Sequence, residues 1–100
     1  MTKILIGVTG HRVLPHPGTG ECIARALRHL AKTWPGATFR IVSSLAEGSD
    51  REVVHLARTE LNAELIAVLP MPARAFEKDF ANPKSVSAFR ELLRTARKIV

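Results

Sequence analysis

One hundred residues make a single domain that buries about two-thirds of its unfolded surface, enough for one core without disulfides or metal. With 46% hydrophobic and 24% charged residues the chain is globular, and its lone cysteine, Cys22, excludes an internal disulfide framework and a cysteine-rich zinc site. The net charge of +6, carried by ten Arg and five Lys against nine acids, raises nucleic acid as a partner, but the absence of Tyr and the few aromatics leave no obvious base-stacking platform.

Residues 3–9 (Lys-Ile-Leu-Ile-Gly-Val-Thr) form a nearly continuous apolar run, the pattern of a central strand buried on both faces. The run is far too short for a signal or membrane-spanning segment, so the chain reads as cytoplasmic, with no membrane partner. Gly10 breaks it, His11 and Arg12 follow, and Pro15, Pro17, Gly18 and Gly20 mark a loop. A first helix is expected from Thr19 or Glu21, with Ile23, Leu27, Leu30 and Trp34 on one apolar stripe, stopped by Pro35-Gly36. Cys22 falls inside that helix and is expected to be a small buried or half-buried residue.

Residues 38–42 predict a second strand and residues 50–61 a second helix, with Val53, Val54, Ala57 and Leu61 facing inward and Asn62 as a left-handed stop. Residues 64–69 read as a third buried strand, closed by Pro70 and Pro72. A loop carrying Arg74, Phe76, Asp79 and Phe80 leads to Asn82-Pro83, a cap and first helical residue. The third helix then buries Val86, Phe89, Leu92, Leu93 and Ala96, and Lys98-Ile99-Val100 begins a fourth strand. This alternation predicts an α/β fold, Rossmann-like and three-layered (α/β/α), with a mainly parallel, doubly wound sheet of about four strands. Right-handed crossovers bring the strand-to-helix loops (residues 9–20, 43–49 and 70–83) to the carboxyl edge of the sheet, where such folds bind ligands near the point of strand reversal.

The stretch of residues 41–51 (Ile-Val-Ser-Ser-Leu-Ala-Glu-Gly-Ser-Asp-Arg) is a strand, a glycine-containing turn and a helix start, and unpaired N–H groups there suit a phosphate or carboxylate. The spacing Ser49-x-x-Glu52 also fits an ordinary capping box that binds nothing. Opposite it, Arg12 could pair bidentately with a phosphate and His11 could donate to it or to a hydroxyl. Glu47 and Asp50 flank the helix start, and their charge favours a ligand that offers hydroxyls as well as phosphate. Gly7-x-x-Gly10 is neither a dinucleotide fingerprint nor a P-loop. Arg25, Arg28, His29 and Lys32, and likewise Arg90, Arg94, Arg97 and Lys98, suggest basic stripes on two helices, a pattern more often solvation than recognition.

Three runs, Ile-Gly-Val-Thr-Gly-His-Arg, Val-Ser-Ser-Leu-Ala-Glu-Gly-Ser-Asp and Ala-Val-Leu-Pro, together resemble the SLOG superfamily across essentially the whole chain. That group unites the Rossmann-like domain of DNA-processing protein A (Smf) with the Lonely Guy phosphoribohydrolases. The middle run is similar to the Ser-Gly-Leu-Ala-x-Gly-Ile-Asp type of turn, with Ser44 in place of Gly and Ser49 in place of Ile. The resemblance implies a nucleotide or nucleotide-derived ligand at the carboxyl edge, held by Gly10, His11 and Arg12 on one side and Ser43, Ser44, Glu47, Gly48, Ser49 and Asp50 on the other. It implies a sensory or regulatory domain, because the Pro-Gly-Gly-x-Gly-Thr-x-x-Glu run that supplies the Lonely Guy catalytic glutamate is absent after Leu69. A nucleotide N-glycosidic hydrolase using Glu47 or Asp50 and a DNA-binding module are the alternatives. No cofactor or metal is expected, members of the group usually continue beyond the fourth strand, and apolar surface left by so short a sheet predicts a homo-oligomer.

Overall fold

A computed structural model describes residues 2–7 and 18–100. The chain is α/β, with a four-stranded, all-parallel sheet and four helices, consistent with a Rossmann-like α/β fold in which the described helices cover one face of the sheet. Its elements are β1 (Lys3–Gly7), α1 (Thr19–Thr33), β2 (Thr38–Ser43), α2 (Ser49–Leu61), β3 (Glu64–Ala67), α3 (Ala73–Glu77), α4 (Pro83–Arg94) and β4 (Lys98–Ile99).

The strand order is β1-β2-β3-β4, sequential along the chain. The reversal expected of a doubly wound sheet is therefore not found among the described strands, although all of them still deliver their carboxyl ends to one edge. Among the described residues β1 pairs only with β2, so the expectation of a central strand buried on both faces is corrected: Leu5 is 65% exposed. An apolar run without period-2 alternation cannot distinguish a central strand from an edge strand.

The registers Ile4↔Phe39, Ile6↔Ile41, Ile41↔Leu65 and Ser43↔Ala67 place these residues on one sheet face. That face meets the helices. Leu27 of α1, Val53, Val54, Ala57 and Leu61 of α2, Phe76 of α3 and Phe89 and Leu92 of α4 join Phe39, Ile41 and Leu65 in one core. α2 follows its apolar stripe closely, because all four expected inward residues are buried. Phe76, Phe80 and Phe89 pack edge-to-face, with centroids 4.9–5.6 Å apart, and anchor α3 beside α4.

Local chemistry accounts for the boundaries. Asn62, at φ 50°, takes the left-handed cap and returns its N–H to Arg58 O. Asn82 Oδ1 accepts from Ser85 N at 2.9 Å and Pro83 opens α4 without an amide to satisfy. Two inward assignments on α1 are corrected: Trp34 lies at the C-cap and is 44% exposed, and Cys22 is exposed. α3 forms where the sequence predicts a loop, because five residues of ordinary helix formers after Pro72 leave too short a periodic signal to register.

Candidate functional site

β2 ends in Ser43, and its hydroxyl oxygen accepts from Leu45 N at 3.0 Å, turning the chain sharply. Leu45 takes a left-handed conformation, φ 63°, while its side chain is fully buried. Such a backbone in a non-glycine residue stores about 1–3 kcal/mol and persists only where packing holds it. Gly48 follows at φ 91°, ψ −130°, a region closed to side-chain-bearing residues, and is the N-cap of α2.

Gly48 offers no side chain with which to cap α2. The capping box is therefore corrected: Ser49 is the first helical residue and not the cap, so its hydroxyl cannot fill that role for the N–H three residues on. Asp50 sits in the first turn at 8% exposure. Ser44 Oγ donates to Asp50 Oδ2 at 2.9 Å, whereas buried Asp50 Oδ1 has no hydrogen-bond partner. A buried carboxylate with one oxygen unmet carries a desolvation cost that a ligand donor would remove.

Of the expected site residues, the structure brings together Ser43, Ser44, Glu47, Gly48, Ser49 and Asp50 in one turn. Gly10, His11 and Arg12 fall in residues 8–17, outside the described residues. Glu47 serves the scaffold. Its Oε2 accepts from Ser85 Oγ and from Ala81 N, the latter at 3.2 Å, fastening this turn to the start of α4.

Arg51 was not foreseen, and it organises the cluster. Its Nε donates to Leu45 O at 2.9 Å, and its Nη1 donates to Ser85 O at 3.0 Å and Ser85 Oγ at 2.9 Å. The guanidinium also lies 4.5 Å from the centroid of the Phe80 ring. Burial pushes its pKa below the ordinary arginine value, with Glu47 acting in the opposite direction, and Nη2 is buried without a partner. The only local signal was an arginine directly after Asp50. Its acceptor Ser85 lies 34 positions away, beyond any short-range pattern.

A concavity of about 450 Å³ opens at the opposite, amino edge of the sheet, where Arg58, Asn62, Glu64, Thr95 and Arg97 contribute to its lining. Its cations are engaged: Arg58 Nη2 donates to Thr95 O at 3.3 Å, and Arg97 pairs with Glu64 at 3.3 Å. The ends of α2 and α4 also direct carbonyls this way, which disfavours an anion. The carboxyl-edge turn, with its unmet carboxylate oxygen, is the stronger candidate.

Among the described residues no group of three His, Cys, Asp or Glu side chains could hold a metal ion, and no helix is long and apolar enough to cross a membrane. Fold and turn together define an α/β domain with a parallel sheet and a polar strand-to-helix turn at its carboxyl edge. No protein-family model, no curated protein and no solved structure matches the chain.

Proposed function

We propose that this chain is a small-molecule binding domain for a nucleotide or nucleotide-derived ligand, held at the carboxyl edge of the sheet in a sensory or regulatory role. The observation that carries the reading is Asp50: a buried carboxylate at the start of α2, with one oxygen paired to Ser44 and the other without a partner. A sugar hydroxyl is the donor that suits it, and the positive end of the α2 dipole favours an anionic group nearby. The charges work in opposition at the helix start, so a ligand presenting both hydroxyl and phosphate answers both.

The hydrolase alternative loses ground because Glu47 already accepts from Ser85 and Ala81. The DNA-binding alternative loses ground because Arg90 pairs with Glu77, Arg94 with Glu91 and Arg97 with Glu64, which neutralises most of the second basic stripe, and Arg28 of the first pairs with Glu21 and Glu60.

Calorimetric titration with AMP, ADP-ribose and NAD tests the proposal. At least one should bind, and both Asp50→Asn and Arg12→Ala should weaken it by tenfold or more while far-UV circular dichroism stays unchanged. Absence of binding by all three, or affinities indifferent to both substitutions, overturns it.

A further inference from the structure

The sheet face turned away from the core has no member in the core cluster. The strand registers align Leu5 with Arg40, Gly7 with Val42, Arg40 with Glu64, Val42 with Ile66, and Ile66 with Lys98 on that face. Side chains alternate along each strand, so Val68 and Val100 belong to it as well. Leu5, Val42, Ile66, Val68 and Val100 supply its apolar surface, Arg40 and Glu64 pair across the two inner strands, and Lys3 on β1 and Lys98 on β4 stand at its two edges. Val42 and Ile66 are half-buried in the middle, whereas Leu5, Val68 and Val100 are 65%, 41% and 64% exposed around them. Exposed apolar side chains joined across a sheet mark an interaction surface, unlike the same residues scattered singly.

We propose that this face docks an amphipathic α-helix of a partner protein, with an apolar stripe on Val42, Ile66 and Val68 and acidic residues toward Lys3 and Lys98. Two arguments select that occupant. All-parallel sheets are covered by helices on both faces, because crossover geometry and backbone burial favour it. The charge rim then sets the sign. Among the described residues Glu64 is the sole acid on the face and is already paired with Arg40 at 3.2 Å and Arg97 at 3.3 Å, leaving Lys3 and Lys98 unopposed on either side. A second copy of this chain is a poor fit, since the solvent sides of its own helices carry the cations Arg25, Lys32 and Lys84 and no apolar stripe.

The test is fluorescence anisotropy with a labelled synthetic helix whose leucine stripe is flanked by glutamates, alongside a version with lysines in their place. The acidic helix should bind saturably. The lysine version, and the acidic helix against Val68→Asp, should each bind at least tenfold more weakly. Lys98→Glu, an exposed change that leaves the apolar surface intact, should weaken the acidic helix several-fold and flatten its salt dependence. Equal binding of both helices, or none by the acidic one, overturns the proposal. So does self-association abolished by Val68→Asp in sedimentation, which makes a second copy the occupant, or binding to phosphatidylserine vesicles with no binding of the helix.

Discussion

Arg51 and Ser85, 34 positions apart in sequence, are joined twice by one nitrogen: Nη1 donates to both the carbonyl and the hydroxyl oxygen of Ser85. The same guanidinium reaches back to Leu45 O, so one side chain ties the turn after β2 to the start of α4. The candidate ligand turn is therefore held from behind by a cation that belongs to the scaffold.

Replacing Arg51 by Met should destabilise the fold by about 2–4 kcal/mol, since it strips donors from Leu45 and Ser85 and removes the cation from the Phe80 ring. Arg51→Lys should recover less than half of that loss, because an ammonium lacks the planar fork that serves these acceptors while stacking on an aromatic face. Urea unfolding of the two variants checks both statements.

At Leu45 the side chain and the backbone pull in opposite directions. Leu45→Ala should cost about 2–5 kcal/mol by emptying a fully buried position. Leu45→Gly removes slightly more side chain, yet should be more stable than the alanine variant by about 1 kcal/mol, because φ 63° suits glycine. If alanine proves the better tolerated of the two, the left-handed backbone is not a source of strain.

Asn82 should behave as a conventional cap. Its loss in Asn82→Ala leaves Ser85 N without its acceptor and should cost about 1 kcal/mol, with Asn82→Asp close to the parent. Thermal unfolding of the three proteins makes the comparison.

Acid should weaken one surface contact in a defined direction. Hydrogen bonding from Arg90 holds the Glu77 carboxyl below its ordinary value of 4.5. A depressed folded pKa means the contribution is complete above that ordinary value and fades as pH falls through the lower folded one. Melting temperatures of the parent and Glu77→Gln should therefore differ at pH 6 and converge toward pH 3, and high salt should narrow the difference at pH 6.

Much of the frame was legible because its signals are local. Asn82-Pro83 announced α4, Asn62 announced the end of α2, and Val53, Val54, Ala57 and Leu61 marked the buried face of that helix, since cap chemistry and a 3.6-residue period act over a few residues. Strand order was not legible. It depends on which neighbour each strand meets in space, and the alternation of elements is the same for a sequential sheet as for one that reverses. The site was half legible for a similar reason. Asp50 and Ser44 stand six positions apart, but the fastening of Glu47 by Ser85 spans 38 and has no pattern at short range. Glu47, expected among the ligand groups, also accepts from Ala81 and Ser85.

The sequential strand order has a consequence for how the molecule is made. Each parallel pairing joins strands adjacent in sequence, across an intervening connection that carries a helix. No strand has to wait for a later one to be slotted in beside it. β2 can dock on β1 once α1 has formed, then β3 on β2, so assembly can keep pace with synthesis from the amino terminus onward.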